Sequence, residues 1–425
     1  MGGITALSQP HHLQPSTVDP NGFQRYLLLY FGVDSNGMMC LLVSELLSRA
    51  KSFREKFKQG GESRYINEAI ALDREALDLC THGHPRRFDC LFSLARHLGN
   101  RYNQLGGVEG LNEAILLGRE ALTLRPPGHP GWAGSLGNLA GNLWTRYNLL
   151  GGVEDLHEAL LLNRQTLELR PLGHPDRSIS LNNLANYLST RYDVLGEVED
   201  LNEAILLARD AVGLCPPGHS RRSHSLKTLA ICLGTRHDLL GGVEDLNEAI
   251  LLDRETLMLR PPGHPGRSGS LSNFANRLAT RYKLLGKVED LNEAILLDKD
   301  ALTLHPHGHP DRSKSLKHLG TRLAARYKLL GRIEDLNEAI LLDRDTLALR
   351  PQGHPGRSGS LRNLAIDLST RYKLLGGVED LNEAILLGRE ALTLRPPGHP
   401  NRSNSLTNLA ADLNARYKLV GGSLP

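Results

Sequence analysis

Eight histidines recur at one fixed interval, and an imidazole is the side chain most readily put to metal or acid–base work. They are His84, His129, His174, His219, His264, His309, His354 and His399, each preceded by glycine and each 45 residues from the last. Zinc needs several ligand atoms about 2 Å from one ion, and no second ligand recurs beside each histidine. The histidines are therefore expected to cap turns, with no metal held along the array. Amides form a second set: Asn138, Asn183, Asn273, Asn363 and Asn408 share one position of the 45-residue unit, and an amide both donates and accepts. Cations gather in the later copies, at His224, Lys227, Lys314, Lys317 and Arg362, with Asp89 opposing near the start. On one surface, the amides would grip an extended peptide and the cations an acidic segment or a C-terminal carboxylate. The sequence has no nucleophile elbow, phosphate loop or HExxH motif. No catalytic residue, enzyme activity or cofactor is expected.

The elements that must position these side chains follow from the same period. The string EDLNEAI starts at Glu199, Glu244, Glu289, Glu334 and Glu379, and Arg101-Tyr102 recurs through Arg416-Tyr417 with one departure, Arg236-His237. In the copy around residue 280, Leu271, Phe274, Ala275, Leu278 and Tyr282 form one helical stripe. This first helix, A, is expected over roughly 265–285. Pro265 would be its first residue, where a missing N–H costs nothing, and Gly286 would cap it in the left-handed conformation. A second helix, B, is expected over roughly 289–304. Glu289 and Asp290 suit its positive end, Leu291, Ala294, Ile295, Ala301 and Leu302 form its stripe, and Pro306 stops it. Such a hairpin cannot bury its apolar face alone, so neighbours must stack.

The expected fold is all-α: a right-handed superhelical solenoid of eight antiparallel pairs plus a ninth A helix. The first pair is worn, with Lys56-Phe57 in place of Arg-Tyr. Residues 1–43 fall outside the register, with 1–22 read as a tail and 23–43 as a degenerate capping helix; residues 44–425 are the repeat array. Net charge is +3, from 50 basic and 47 acidic residues that are interleaved, which argues against nucleic acid. No apolar run reaches the roughly 18 residues of a membrane span, and the N-terminus lacks a signal-peptide pattern. The five cysteines show no metal spacing, which fits a reducing, cytoplasmic setting.

These residues resemble the tetratricopeptide repeat. Leu271 to Leu278 is similar to the first helix of that family, and Ala294, Ala301 and Pro306 match the spacing of small and proline positions in its second. The unit here is longer than the family's about 34 residues. The LNNLA string Leu181 to Ala185 and His174-Pro175-Asp176 look like the kinesin light chain variant. PPGHP followed by an SL-x-NLA helix also looks like fungal repeat proteins that often carry a caspase-like CHAT domain after the array.

The resemblance implies a concave surface lined by A helices, with groove positions at the columns of Gly269, Ser272, Asn276, Ala279 and Thr280. Four of those five columns are among the most variable in the chain. The candidate binding residues are Asn138, Trp144, Asn182, Asn183, Asn186, Lys227, Ile231, Asn273, Asn276, Lys314, Lys317, Arg362 and Asn363. Two readings stay open for the variable columns, a binding groove or drift on a solvent face. Two stay open for the asparagines, ligand contacts or hydrogen bonds to neighbouring helices. Arg281, Arg254 and Glu248 also recur as charged columns, read as a ladder of ion pairs between successive copies. The expected function is a scaffold binding an extended peptide or partner segment, with oligomeric state unassigned. The alternative is the sensor region of a CHAT-type effector whose catalytic domain is absent from this chain. The sequence stops near Gly421 where a further B helix is due, which reads as a truncated form.

Overall fold

The computed structural model describes residues 35–125 and 128–421. The proposed tail and most of the proposed capping segment lie outside them. Among the described residues there are seventeen α-helices and no strand. The A helices are α1 Ser35–Gly60, α3 Arg87–Leu105, α5 Trp132–Leu150, α7 Arg177–Leu195, α9 Arg222–Leu240, α11 Arg267–Leu285, α13 Arg312–Leu330, α15 Arg357–Leu375 and α17 Arg402–Leu419. The B helices are α2 Ser63–Leu79, α4 Val108–Leu124, α6 Val153–Glu168, α8 Val198–Gly213, α10 Val243–Met258, α12 Val288–Thr303, α14 Ile333–Ala348 and α16 Val378–Thr393. In both units below, an A helix packs first on the B helix that follows it, and that B helix on the next A helix. The array is all-α, with eight pairs and a ninth A helix. The chain divides into two compact units, Met1–Tyr187 and Leu188–Pro425.

The stripes read from the sequence are the core. Leu271, Phe274, Ala275 and Leu278 are buried, as are Leu291, Ala294, Ile295 and Ala301. Gly286 takes φ 68°, ψ 13°, and its N–H donates to the Tyr282 carbonyl at 2.8 Å. An L residue there would pay for the left-handed backbone. Glu289 and Asp290 stand in the first turn of α12. The first A helix is longer than the others and runs unbroken through residue 44. Val43, Leu46 and Ala50 pack on Ala69, Leu72 and Ala76 of α2, so the core starts inside the segment assigned to the non-repeat terminus.

One expectation is corrected. Pro265 is not the first helical residue, because α11 begins at Arg267 and Pro265 and Gly266 form a turn. The cause is the preceding histidine. His264 Nδ1 accepts the Gly266 N–H at 3.0 Å, closing a local turn before the helix starts. All eight Gly-His imidazoles make this bond, from His84 to Arg86 at 3.2 Å through His399 to Asn401 at 3.1 Å. An Nδ1 that accepts is unprotonated, so the capping form is the Nε2–H tautomer.

The charged columns divide in two. The Arg254 and Glu248 columns do join successive copies: Arg254 meets Glu293 at 3.1 Å and Arg209 meets Glu248 at 2.7 Å. The Arg281 column mainly closes its own hairpin. Arg281 pairs with Asp290 through both oxygens, at 2.7 and 2.8 Å, and reaches the previous B helix only through Asn247 Oδ1 at 2.9 Å. Two parallel bonds fix the angle between A and B more firmly than a single point contact.

Candidate functional site

The A helices differ from copy to copy along the columns of Ser272, Asn276 and Ala279, three positions of one helical face, and beside it runs the column of Asn273, asparagine in five copies. In unit 1 this face forms a cleft of about 280 Å³ between α3, α5 and the start of α7. Asn138, Trp144, Asn183 and Asn186 line it. Glycines 99, 137 and 141 keep its floor low, and the Trp144 ring lies 5.5 Å from that of Tyr187. Arg96, on the wall, is brought down to about 10 by burial and then by neighbouring Arg54.

Unit 2 carries two further clefts on its A helices. One of about 350 Å³ is lined by Ile231, Asn273 and Asn276, with Arg277 and Asp238. The other, about 90 Å³, is lined by Arg362, Ile366, Asn408 and Asp412. Lys227, Lys314, Lys317 and Asn363 lie outside these clefts, Lys314 exposed and the other three half-buried. Asn182 departs from the sequence reading. It is only 1% exposed, so it sits within the packing of α7 and not on an open surface. Its column holds groups as different as Phe92, Gly137 and Lys227 elsewhere, so a column count does not show which copies are buried.

The asparagines split between the two readings. Asn276 Oδ1 accepts from Arg322 at 2.7 Å, so it serves a neighbouring helix. Asn138 Nδ2 is buried with no hydrogen-bond partner among the described residues, a state that costs about 1–3 kcal/mol unless a ligand or water relieves it.

Two cationic groups stand two copies apart in unit 2. Burial lowers the Lys227 and His224 pKa values, and Arg260 lowers both further, against a partial opposing pull of Asp253 on Lys227. Burial also brings His318 to about 4, helped by Lys314, Lys317 and Arg350. His318 takes the place of asparagine in its column and went unnoticed in the sequence. Burial is the larger cause in each shift, and the lysines and arginines around the two imidazoles leave a positively charged surface that an anion would suit.

A second feature escaped the sequence reading. One leucine of each LNEAILL-type string faces solvent: Leu116 and Leu161 in unit 1, and Leu206, Leu251, Leu296, Leu341 and Leu386 in unit 2, all 64–66% exposed. The signal was there as a leucine column one residue past the buried isoleucine. Among the described residues, no helix is long and apolar enough to cross a membrane.

No family model and no curated protein matches the chain. Similar solved structures are helical repeat proteins. One is a putative kinesin light chain of Podosopora anserina with nearly identical TPR-like repeats, at 20% identity, covering 53% of this chain and 100% of that one, TM-score 0.39. Another is a tetratricopeptide repeat protein from Parabacteroides merdae, at 14% identity over 77% of this chain and 99% of that one, TM-score 0.45. A third is the human IFIT1 dimer with PPP-AAAA, at 12% identity over 84% of this chain and 69% of that one, TM-score 0.49.

Proposed function

We propose that the chain is a protein-interaction scaffold that takes an extended partner segment along the clefts of its A helices. The segment is acidic, or ends in a carboxylate, where it meets Lys227, Lys317 and their neighbours. The observation that carries the reading is chemical. The clefts and the A-helix surface beside them offer a buried amide donor without a partner, at Asn138, and a gathering of cations, at Lys227, Lys314, Lys317 and Arg362.

The test is fluorescence polarisation against a library of short extended peptides graded in acidity, each with a free and an amidated C-terminus. The variant carries Asn183→Ala, Lys227→Ala, Asn273→Ala and Lys317→Ala, with circular dichroism confirming equal helicity. The expected result is acidic hits that the variant binds at least about tenfold more weakly, a loss of about 1.4 kcal/mol. A drop on amidation assigns the carboxylate. Equal binding by both proteins, or a preference for a single-stranded RNA competitor, sinks the peptide-groove reading.

A further inference from the structure

One loop departs from the pattern of its copies in a way that gathers ligand chemistry. Between α12 and α13 the sequence runs His305-Pro306-His307-Gly308-His309-Pro310-Asp311. Position 305 is arginine in five copies, at 125, 170, 260, 350 and 395, and cysteine in the other two, at 80 and 215. Arginine there donates to a serine hydroxyl of the next A helix, as Arg260 does to Ser270 and Arg350 to Ser360, both at 2.8 Å. His305 keeps the contact, Nδ1 to Ser315 Oγ at 2.8 Å, but the guanidinium is gone. Its ring instead stacks on the Gly-His imidazole of its own copy, His309, with centroids 4.2 Å apart and planes at 24°. One ligand atom each from His305, His309 and Asp311 lie within 4.8 Å of one another.

We propose that this loop binds one first-row divalent transition ion of the zinc type through His305, His309 and Asp311. Two imidazoles and a carboxylate suit such ions and are a poor set for magnesium or calcium, which take oxygen ligands. Tetrahedral zinc at about 2.0–2.1 Å holds its ligand atoms roughly 3.4 Å apart, so the three groups must close by a little over 1 Å. Asp311 is exposed and His309 half-buried, so both have room to turn. His305 is the fixed member: it is 4% exposed, and an Nδ1–H donated to Ser315 Oγ presents Nε2 to the ion, the usual outer-shell support of a metal-bound histidine. His309 exchanges a bond. Its Nδ1 accepts the Asp311 N–H at 3.1 Å. Coordination through Nδ1 displaces that N–H, and coordination through Nε2 moves the ring proton to Nδ1. In either case one turn hydrogen bond is traded for one metal bond. The remaining positions take water, or His307 from the exposed part of the same loop.

The array supplies its own control. The loop of Arg170, His174 and Asp176 has the same histidine and aspartate, with arginine where His305 stands. The expected absence of a second ligand beside the Gly-His pairs therefore fails at this copy, as it does at His84, whose Nδ1 lies 3.2 Å from Cys80 Sγ.

The test is zinc titration of the full chain by calorimetry and metal content after gel filtration, for wild type, His305→Arg and Asp311→Gly. Both substitutions are residues that other copies carry at these positions, so both variants are expected to keep wild-type helicity. The expected result is one tightly held ion in wild type, with at least a tenfold weaker constant in each variant. Cobalt(II) bound to wild type should give a visible d–d band that both variants lose. Equal stoichiometry and affinity in wild type and His305→Arg, or no ion held by wild type, overturns the proposal. A cobalt band retained in Asp311→Gly removes Asp311 from the ligand set and overturns the three-ligand site.

Discussion

Replacing Arg277 with cysteine will loosen the seam between α10 and α11 by about 3–5 kcal/mol, and adding Asp253→Ala will recover most of the loss. Arg277 Nε lies 2.5 Å from Asp253 Oδ2, with the two side chains 13% and 1% exposed. Breaking a buried pair by removing one partner leaves an uncompensated charge, which costs about that much. Removing both does not. The preceding seam shows the neutral solution, with Ala208 and Cys232 at the same two positions and both fully buried. A third residue is tied to the pair: the Arg277 guanidinium occupies the space a side chain on Gly234 would fill, so Gly234→Ala must push it off Asp253. Burial already raises the Asp253 pKa above the ordinary carboxylate range, with Arg277 only partly opposing. Without Arg277 the Asp253 pKa rises further, held back only by Lys227 and Arg260, so the single variant should be less damaged at pH 5 than at pH 8. Hydrogen-exchange protection of α10 and α11 measures this directly, since a repeat array need not unfold in one step. Undiminished protection in Arg277→Cys would show that the pair contributes nothing to the seam.

The hairpins were legible in the sequence because a 45-residue period forces every copy to show the same stripe, and Gly286 and Glu289 marked the helix ends by their backbone and dipole chemistry. The start of helix A was not. Proline at 265 pointed to the helix, but the imidazole of His264 captures the Gly266 N–H first, a local bond that residue patterns do not rank. The buried charges were missed for a different reason. Asp253, Arg277, Asp298 and Arg322 differ in type from copy to copy and fall outside the apolar stripes, yet Asp298 and Arg322 are in contact with side chains only 2% and 7% exposed. The candidate clefts were legible as variable columns, but Asn182 and Asn276 show that variation also marks packing between helices.

These seams bear on how near-identical strings find their register. EDLNEAI would pair equally well with any A helix if only leucines met. The polar residues make the seams of unit 2 unequal: Ala208 with Cys232, Asp253 with Arg277, Asp298 with Arg322, and Asp343 with Asp367. A misplaced stack would set an aspartate against a cysteine, or an arginine against an alanine. Buried ionic groups are best attested in such registry roles, and here they would act by penalising the wrong neighbour more than by strengthening the right one.

The last of those seams should weaken as pH rises. Asp343 of α14 and Asp367 of α15 are 2% and 6% exposed, where the two preceding seams place an aspartate and an arginine. Burial, with Asp367 adding to it, pushes Asp343 up to about 7, against the pull of Arg350 and Lys317. Burial pushes Asp367 up to about 7 as well, opposed only by Lys328. A carboxyl whose pKa is higher folded than unfolded favours the protonated fold. Its penalty is absent below the ordinary carboxylate value of 3.8, grows as pH rises, and is complete above pH 7. A rise of this size corresponds to roughly 4 kcal/mol for one group, and the two protons leave as a coupled pair. Hydrogen exchange in α14 and α15, corrected for the intrinsic pH effect, should therefore be slower at pH 5.5 than at pH 8, while the seam of α8 and α9, with Ala208 and Cys232 at these positions, changes less. Asp367→Asn should remove much of this dependence. Asp367→Arg should remove nearly all of it and raise protection at pH 8 by about 2–4 kcal/mol, because it rebuilds the Asp–Arg pair of the neighbouring seams. Equal protection at both pH values in wild type would mean that water or the nearby lysines already neutralise the pair, and that this seam is no softer than the others.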